Sequence, residues 1–184
     1  MRDVGSGARL VEIHPAERVR ERIDALAAAL EADYAGRADA PLLVVIAEGA
    51  IRFAHGLAAG LSQRGLVPDV RVVRARRTFG TRLEQVELEE LDPAIFRARH
   101  VIITDDIADE GRTLGAVMGL VRSGEPASVR VAVLVNKTGR RRVPLHLDYV
   151  GFELRDGWVV GYGMDLDGAF RDLDSLSIIE EESR

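Results

Sequence analysis

The chain has 184 residues, no cysteine and a formal net charge of −5. That length lies within the size of one domain and supports a sizeable core. The lack of cysteine excludes disulfides and cysteine-based zinc sites, and the acidic balance argues against a general nucleic-acid binder. No apolar run is long enough to span a bilayer or serve as a signal peptide, so a single cytoplasmic, soluble domain over 1–184 is expected.

In chain order, Pro15 opens an amphipathic helix over 15–34, where Val19, Ile23, Leu26 and Leu30 share one face. Pro41 precedes a short apolar run, Leu42 to Ala47, after which Glu48-Gly49 leads into a helix carrying Phe53, Leu57 and Leu61 before Gly65. Asp69 to Val73 is a further strand. The segment from Arg74 to Glu90 is polar and aperiodic, which predicts a loop, and Arg71, Arg74, Arg76, Arg77 and Arg82 concentrate positive charge there. Val101 to Thr104 is unbroken apolar or β-branched sequence, as in a strand buried on both faces. It runs into Asp105, Asp106 and Asp109, and a helix at about 113–123 follows, with Leu114, Val117, Met118 and Val121 at helical spacing and Gly124 as its stop.

Val129 to Val135 supplies another strand, Arg140-Arg141-Arg142 reads as a solvated turn, and the tail from Ser175 is expected to fray. His14, His55, His100 and His146 show no metal-ligand spacing. Alternating strands and helices predict an α/β fold with a mainly parallel central sheet flanked by helices and joined by right-handed crossovers.

The acids therefore stand at a strand's carboxyl end, where open α/β sheets bind ligands. Backbone N–H groups over Glu110, Gly111, Arg112 and Thr113, with the Thr113 hydroxyl, would suit a phosphate at the helix start. Helix capping is the plain alternative, and it accounts for one acid well but three poorly.

The stretch Asp105-Asp106-Ile107-Ala108-Asp109-Glu110-Gly111-Arg112-Thr113 resembles the PRPP motif of type I phosphoribosyltransferases. Asp148 to Leu154, Trp158 to Asp165 and Phe170 to Leu173 resemble the C-terminal part of the hypoxanthine-guanine members of that family. The resemblance implies transfer of ribose 5-phosphate from PRPP to a 6-oxopurine in purine salvage, with pyrophosphate released. It also implies Mg²⁺, a homodimer or homotetramer, and a small hood from the chain ends, roughly 1–20 and 140–184.

By the same resemblance, Asp109 is the acid/base near purine N7. Asp105, Asp106, Glu110, Gly111, Arg112, Thr113, Glu48, Gly49 and Arg171 bind PRPP. Lys137 reads the purine 6-oxo group, Trp158 stacks on the base, Val159 meets its edge through the backbone, and Asp165 lies near its 2-position. Asp165, Asp105 and Asp106 are the magnesium-linked acids, and Thr78 and Phe79 belong to a mobile loop that closes over the site.

Three residues depart from the family pattern. Glu110 stands where many members have Thr, and as a carboxylate it must point away from phosphate; the bland expectation for it is an exposed helix-start Glu. Glu48 replaces a basic residue, and Phe79 lacks a phenolic hydroxyl. These departures keep open a paralogue acting on a modified or deaza purine, and the basic stretch Arg71–Arg82 keeps open a non-catalytic regulator that senses PRPP or nucleotides. Retention of Asp109, Lys137 and Arg171 favours an enzyme.

Overall fold

The computed structural model describes residues 8–37, 39–79 and 84–181. Its elements run β1 (Ala8–His14), α1 (Ala16–Tyr34), β2 (Leu42–Ala47), α2 (Ala50–Gln63), β3 (Asp69–Phe79), β4 (Glu84–Leu88), a 3-10 turn (Pro93–Phe96), β5 (His100–Ala108), α3 (Arg112–Ser123), β6 (Ser128–Lys137), β7 (Tyr149–Leu154), β8 (Trp158–Val160) and β9 (Leu176–Glu181). Among the described residues the strands form a six-stranded sheet, ordered β4-β3-β2-β5-β6-β7, and a three-stranded sheet, ordered β1-β9-β8. In the large sheet only β3 and β4 pair antiparallel; the remaining neighbours are parallel.

Helices on both faces explain the unbroken apolar strands. Leu43, Ile102, Ala132 and Leu134 pack with α1 and α2 through Val19, Ile23, Leu26, Leu30, Phe53 and Leu57. Their strand neighbours Leu42, Val44, Val101, Ile103, Val131 and Val133 face the other way, onto Leu114, Val117 and Val121 of α3 and onto Phe96. Side chains alternate between faces, and both faces are dry, so no polar alternation survives in the sequence.

Several expectations are corrected. The segment read as an aperiodic loop after Val73 continues as β3 and returns as β4, with Ala75 opposite Leu88 and Arg76 opposite Glu87. Only one side of this arm meets the core, through Ala75 and Leu88, so polar residues fill the rest and hide the strand period. Thr78 and Phe79 are strand residues by backbone pairing, whereas Gly80 and Arg82 lie outside the described residues. The tail does not fray over 176–181: β9 is the middle strand of the small sheet, with Leu176 and Ser177 buried.

The small sheet is also narrower than the hood anticipated from the chain ends. Tyr149–Leu154 belongs to the large sheet, and α1 packs on that sheet's face. His14 stacks on Phe152 with ring centroids 3.9 Å apart, which joins the two sheets.

Candidate active site

The carboxyl ends of β2, β5 and β6 open into a cavity of about 570 Å³, whose wall includes Glu48, Gly49, Asp106, Asp109, Lys137 and Trp158. Val159, Asp165 and Arg171 complete most of the residues anticipated there. Arg74 and Arg76 of β3, Arg140 and Met164 line it as well.

The acids reach this cavity because β5 is longer than its apolar run. Asp105 and Ile107 still pair with Val133 and Val135 of β6, although β2 stops pairing with β5 at Thr104. Asp105 is 7% exposed, and its Oδ1 accepts the Asp106 N–H at 3.1 Å. Asp106 Oδ1 accepts the Ile107 N–H at 2.8 Å. Loss of water raises the Asp106 carboxyl above the ordinary range, and the negative charge of Asp165 pushes the same way.

Helix capping does not occupy these acids. The N-cap of α3 is Gly111, at φ 86°, and no side chain caps the helix. Asp109 instead faces basic groups: its Oδ2 accepts from Lys137 Nζ at 3.3 Å and lies 3.7 Å from Arg140 Nη1. Its Oδ1 is buried without a hydrogen-bond partner among the described residues. Such atoms are rare, because each costs roughly 1–3 kcal/mol of desolvation or more when charged.

Lys137 is the last residue of β6 and is 5% exposed, which rules out a solvated strand-end lysine. Trp158 is 54% exposed on the small sheet, so it is not a core tryptophan; its Nε1 donates to the Asp165 carbonyl at 3.4 Å. Val159 is buried behind it.

Arg171 bridges two carboxylates, with Nη2 on Asp165 Oδ1 at 2.8 Å and Nη1 on Glu48 Oε2 at 3.0 Å. The bond from Arg171 is the main reason the Asp165 carboxyl sits below the usual range. Glu48 is therefore paired across the cavity, and the acid at this position engages a cation that also lines the cavity. Gly49 is sterically required, since a Cβ there would overlap the Asp106 carboxylate. Gly163, at φ 105°, presses its backbone against the Gly49 carbonyl and holds the two loops together.

Glu110, Gly111, Arg112 and Thr113 form the adjoining strand-to-helix corner and do not line this cavity, and neither does Asp105. The expected exposed Glu110 is corrected: its side chain is 13% exposed and is held by Arg112 and Arg142. Arg112, by its hydrogen bond, lowers the Glu110 carboxyl from its usual value. The basic turn is solvent-exposed at Arg140 and Arg142, as expected, but it also reaches inward. Arg140 faces Asp109, and Arg141 Nη2 donates to the carbonyls of Ala108 at 3.1 Å and Lys137 at 3.3 Å. The signal was present as a basic run directly after Lys137, but a strand end gives no period from which to read direction. Met164 was equally hidden, because it is brought to the cavity by a turn in which Gly161 bridges to it.

A parallel sheet whose carboxyl edge carries acids on one wall and cations on another marks an α/β protein built to hold a polyanionic ligand. Comparison with known proteins narrows that class. Residues 10–167 match the model of the phosphoribosyl transferase domain, and the chain belongs to that family. It is 30% identical over 166 residues to a hypoxanthine-guanine phosphoribosyltransferase of Streptococcus pneumoniae, spanning 90% of this chain and 91% of that one. The hypoxanthine-guanine phosphoribosyltransferase of Homo sapiens is 39% identical over 93 residues, 50% of this chain and 43% of the human one. A solved hypoxanthine phosphoribosyltransferase from Trypanosoma cruzi is similar with a TM-score of 0.84 at 26% identity, covering 95% of this chain and 96% of that one.

Proposed function

We infer that this chain is a purine-salvage phosphoribosyltransferase that moves ribose 5-phosphate from PRPP to a 6-oxopurine, hypoxanthine or guanine, and releases pyrophosphate. The observation that carries the reading is Asp109, which has one oxygen on Lys137 and the other buried and unpartnered among the described residues, beside the cavity. The oxygen left without a protein donor can accept a hydrogen bond from a base held in the cavity.

In this reading Asp109 exchanges that proton with purine N7 while positive charge builds on the sugar. Lys137 donates to the 6-oxo oxygen, an acceptor, and so disfavours the amino group of adenine. Trp158 offers its exposed face to the base, with Val159 backbone at the base edge. The corner from Glu110 to Thr113 takes the 5-phosphate through backbone N–H groups of the helix start. Asp105 and Asp106 accept from ribose hydroxyls, while Glu48, Gly49 and Arg171 border the pyrophosphate, and the arm ending in Thr78 and Phe79 is the segment that would cover the site.

The donor set fits Mg²⁺, an ion that binds through one or two carboxylates and completes its shell with water and substrate oxygens. Asp106 and Asp165 face each other closely enough for the charge of one to raise the carboxyl of the other, with Asp105 adjoining. When bound, Mg²⁺ would offset the charge of PRPP and of the leaving pyrophosphate.

The proposal extends to one domain over 1–184 and to a homodimer or homotetramer, as the family resemblance implies. No helix among the described residues is long and apolar enough to cross a membrane; cytoplasmic residence belongs to the proposal. The test is a purine panel incubated with PRPP and Mg²⁺, following pyrophosphate release. Release with hypoxanthine or guanine is expected, and PRPP binding without release for any base would overturn the reading.

A further inference from the structure

Glu110 is a carboxylate in the segment to whose backbone donors the proposed function assigns the 5-phosphate, and two guanidinium groups hold it. Its Oε2 accepts from Arg112 Nε at 3.0 Å, and its Oε1 lies 3.0 Å from Arg142 Nε. Backbone bonds fasten the same two segments: the Glu110 carbonyl accepts the N–H groups of Arg142 and Val143, both at 3.0 Å. Gly111 sits directly on this support, since a Cβ there would lie 2.8 Å from Leu145 Cδ1 and 3.1 Å from the Val143 carbonyl. Arg142 itself is 65% exposed, so its guanidinium reaches inward from the surface to a carboxylate that is only 13% exposed.

We propose that Arg142 is a positioning residue for phosphoribosyl transfer. Paired with Glu110, it holds the carboxylate off the phosphate-binding side of the corner and cancels its charge. The 5-phosphate of PRPP then meets backbone donors rather than an acid. Arg112 belongs to the corner and would be drawn toward an incoming phosphate, whereas Arg142 approaches from the opposite segment and keeps its hold on Glu110. Charge-assisted bonds of this kind fix direction as well as charge. The inference rests on reading this corner as the 5-phosphate site.

The experiment is a double-mutant cycle on the full chain, with PRPP, Mg²⁺ and hypoxanthine, for Arg142→Ala, Glu110→Gln and the pair together. Arg142→Ala should raise KM for PRPP roughly tenfold and leave kcat within about twofold, because uniform binding is lost and chemistry is not. Adding Glu110→Gln should bring KM back close to that of Glu110→Gln alone, and Arg142→Lys, which keeps the charge, should lie nearer wild type than Arg142→Ala. An unchanged KM in Arg142→Ala, or a double variant as impaired as the single one, would overturn the proposal. Calorimetric PRPP binding without a base reads the same cycle independently of turnover. A wild-type chain that binds PRPP but turns over no purine therefore defeats the salvage reading alone, and one that does not bind PRPP defeats both.

Discussion

In the proposed function Asp109 and Trp158 separate chemistry from binding. Asp109→Asn keeps the size of the side chain and removes the base, so turnover should fall at least roughly tenfold while PRPP binding survives; unchanged turnover in a pyrophosphate-release assay would remove Asp109 from its role. Trp158 is 54% exposed, so its truncation leaves little core behind to collapse. Trp158→Ala should weaken purine binding more than PRPP binding, checked by titrating each ligand, and equal losses would reject stacking. At this scale the sequence was most legible where an apolar strand runs into acids, since Asp106 and Asp109 line the cavity, while Asp105 and the stretch from Glu110 to Thr113 stand beside it. It was least legible at Arg140 and Arg142, whose partners lie about thirty residues away in sequence on Asp109 and Glu110. A long cation on a turn carries no sequence mark of which carboxylate it will meet.

At the scale of elements, the central strands were readable because burial on both faces forces continuous apolar sequence, as in Leu42 to Ile46 and Val101 to Ile103. The β3–β4 arm was not, since little of it meets the core. Loop-to-strand packing was also invisible: Gly49 is fixed by the Asp106 carboxylate, which belongs to another strand. Gly49→Ala should displace Asp106 and cost about 1–3 kcal/mol in overpacking. Urea unfolding and PRPP titration together check this, and wild-type values for both would show that the loops give way freely.

A second element-level prediction concerns pH. Asp33 of α1 accepts from the Tyr149 hydroxyl of β7 at 2.5 Å and pairs with Arg130 of β6. The Tyr149 bond, and then Arg130, hold the Asp33 carboxyl below its usual value. The folded chain therefore binds fewer protons here than the unfolded chain, and this contribution is present above the ordinary Asp value near 4 and lost as pH falls through the lowered one. Burial, with the Asp33 bond, raises the Tyr149 hydroxyl, so stability declines as pH climbs past the ordinary tyrosine value of about 10. Asp33→Asn should be less stable than wild type at pH 7, and the gap should close on acidification; a gap that persists at pH 2 would show that packing, not charge, is lost.

Across the whole molecule, the site is shared between two sheets. Asp106, Asp109, Lys137 and the corner from Glu110 to Thr113 stand at the large one, and Trp158 and Val159 stand on β8, which is paired through Val159 and Ile178 to β9. Proline at Ile178 removes a donor from a middle strand, a place where proline is not tolerated. Ile178→Pro should therefore reduce purine binding more than PRPP binding, and calorimetry with each ligand would decide; equal loss would mean that the sheets stand or fall together.

The pairing of β9 with β1 has a temporal consequence. Ala8 is opposite Glu181, so the small sheet closes between residues made near the start and the finish of this sequence. β8 and β1 meet only through β9, so until residues 176–181 pair, neither outer strand has a neighbour in this sheet. The support beneath Trp158 is thus a long-range contact, which forms only once two segments far apart in sequence have met.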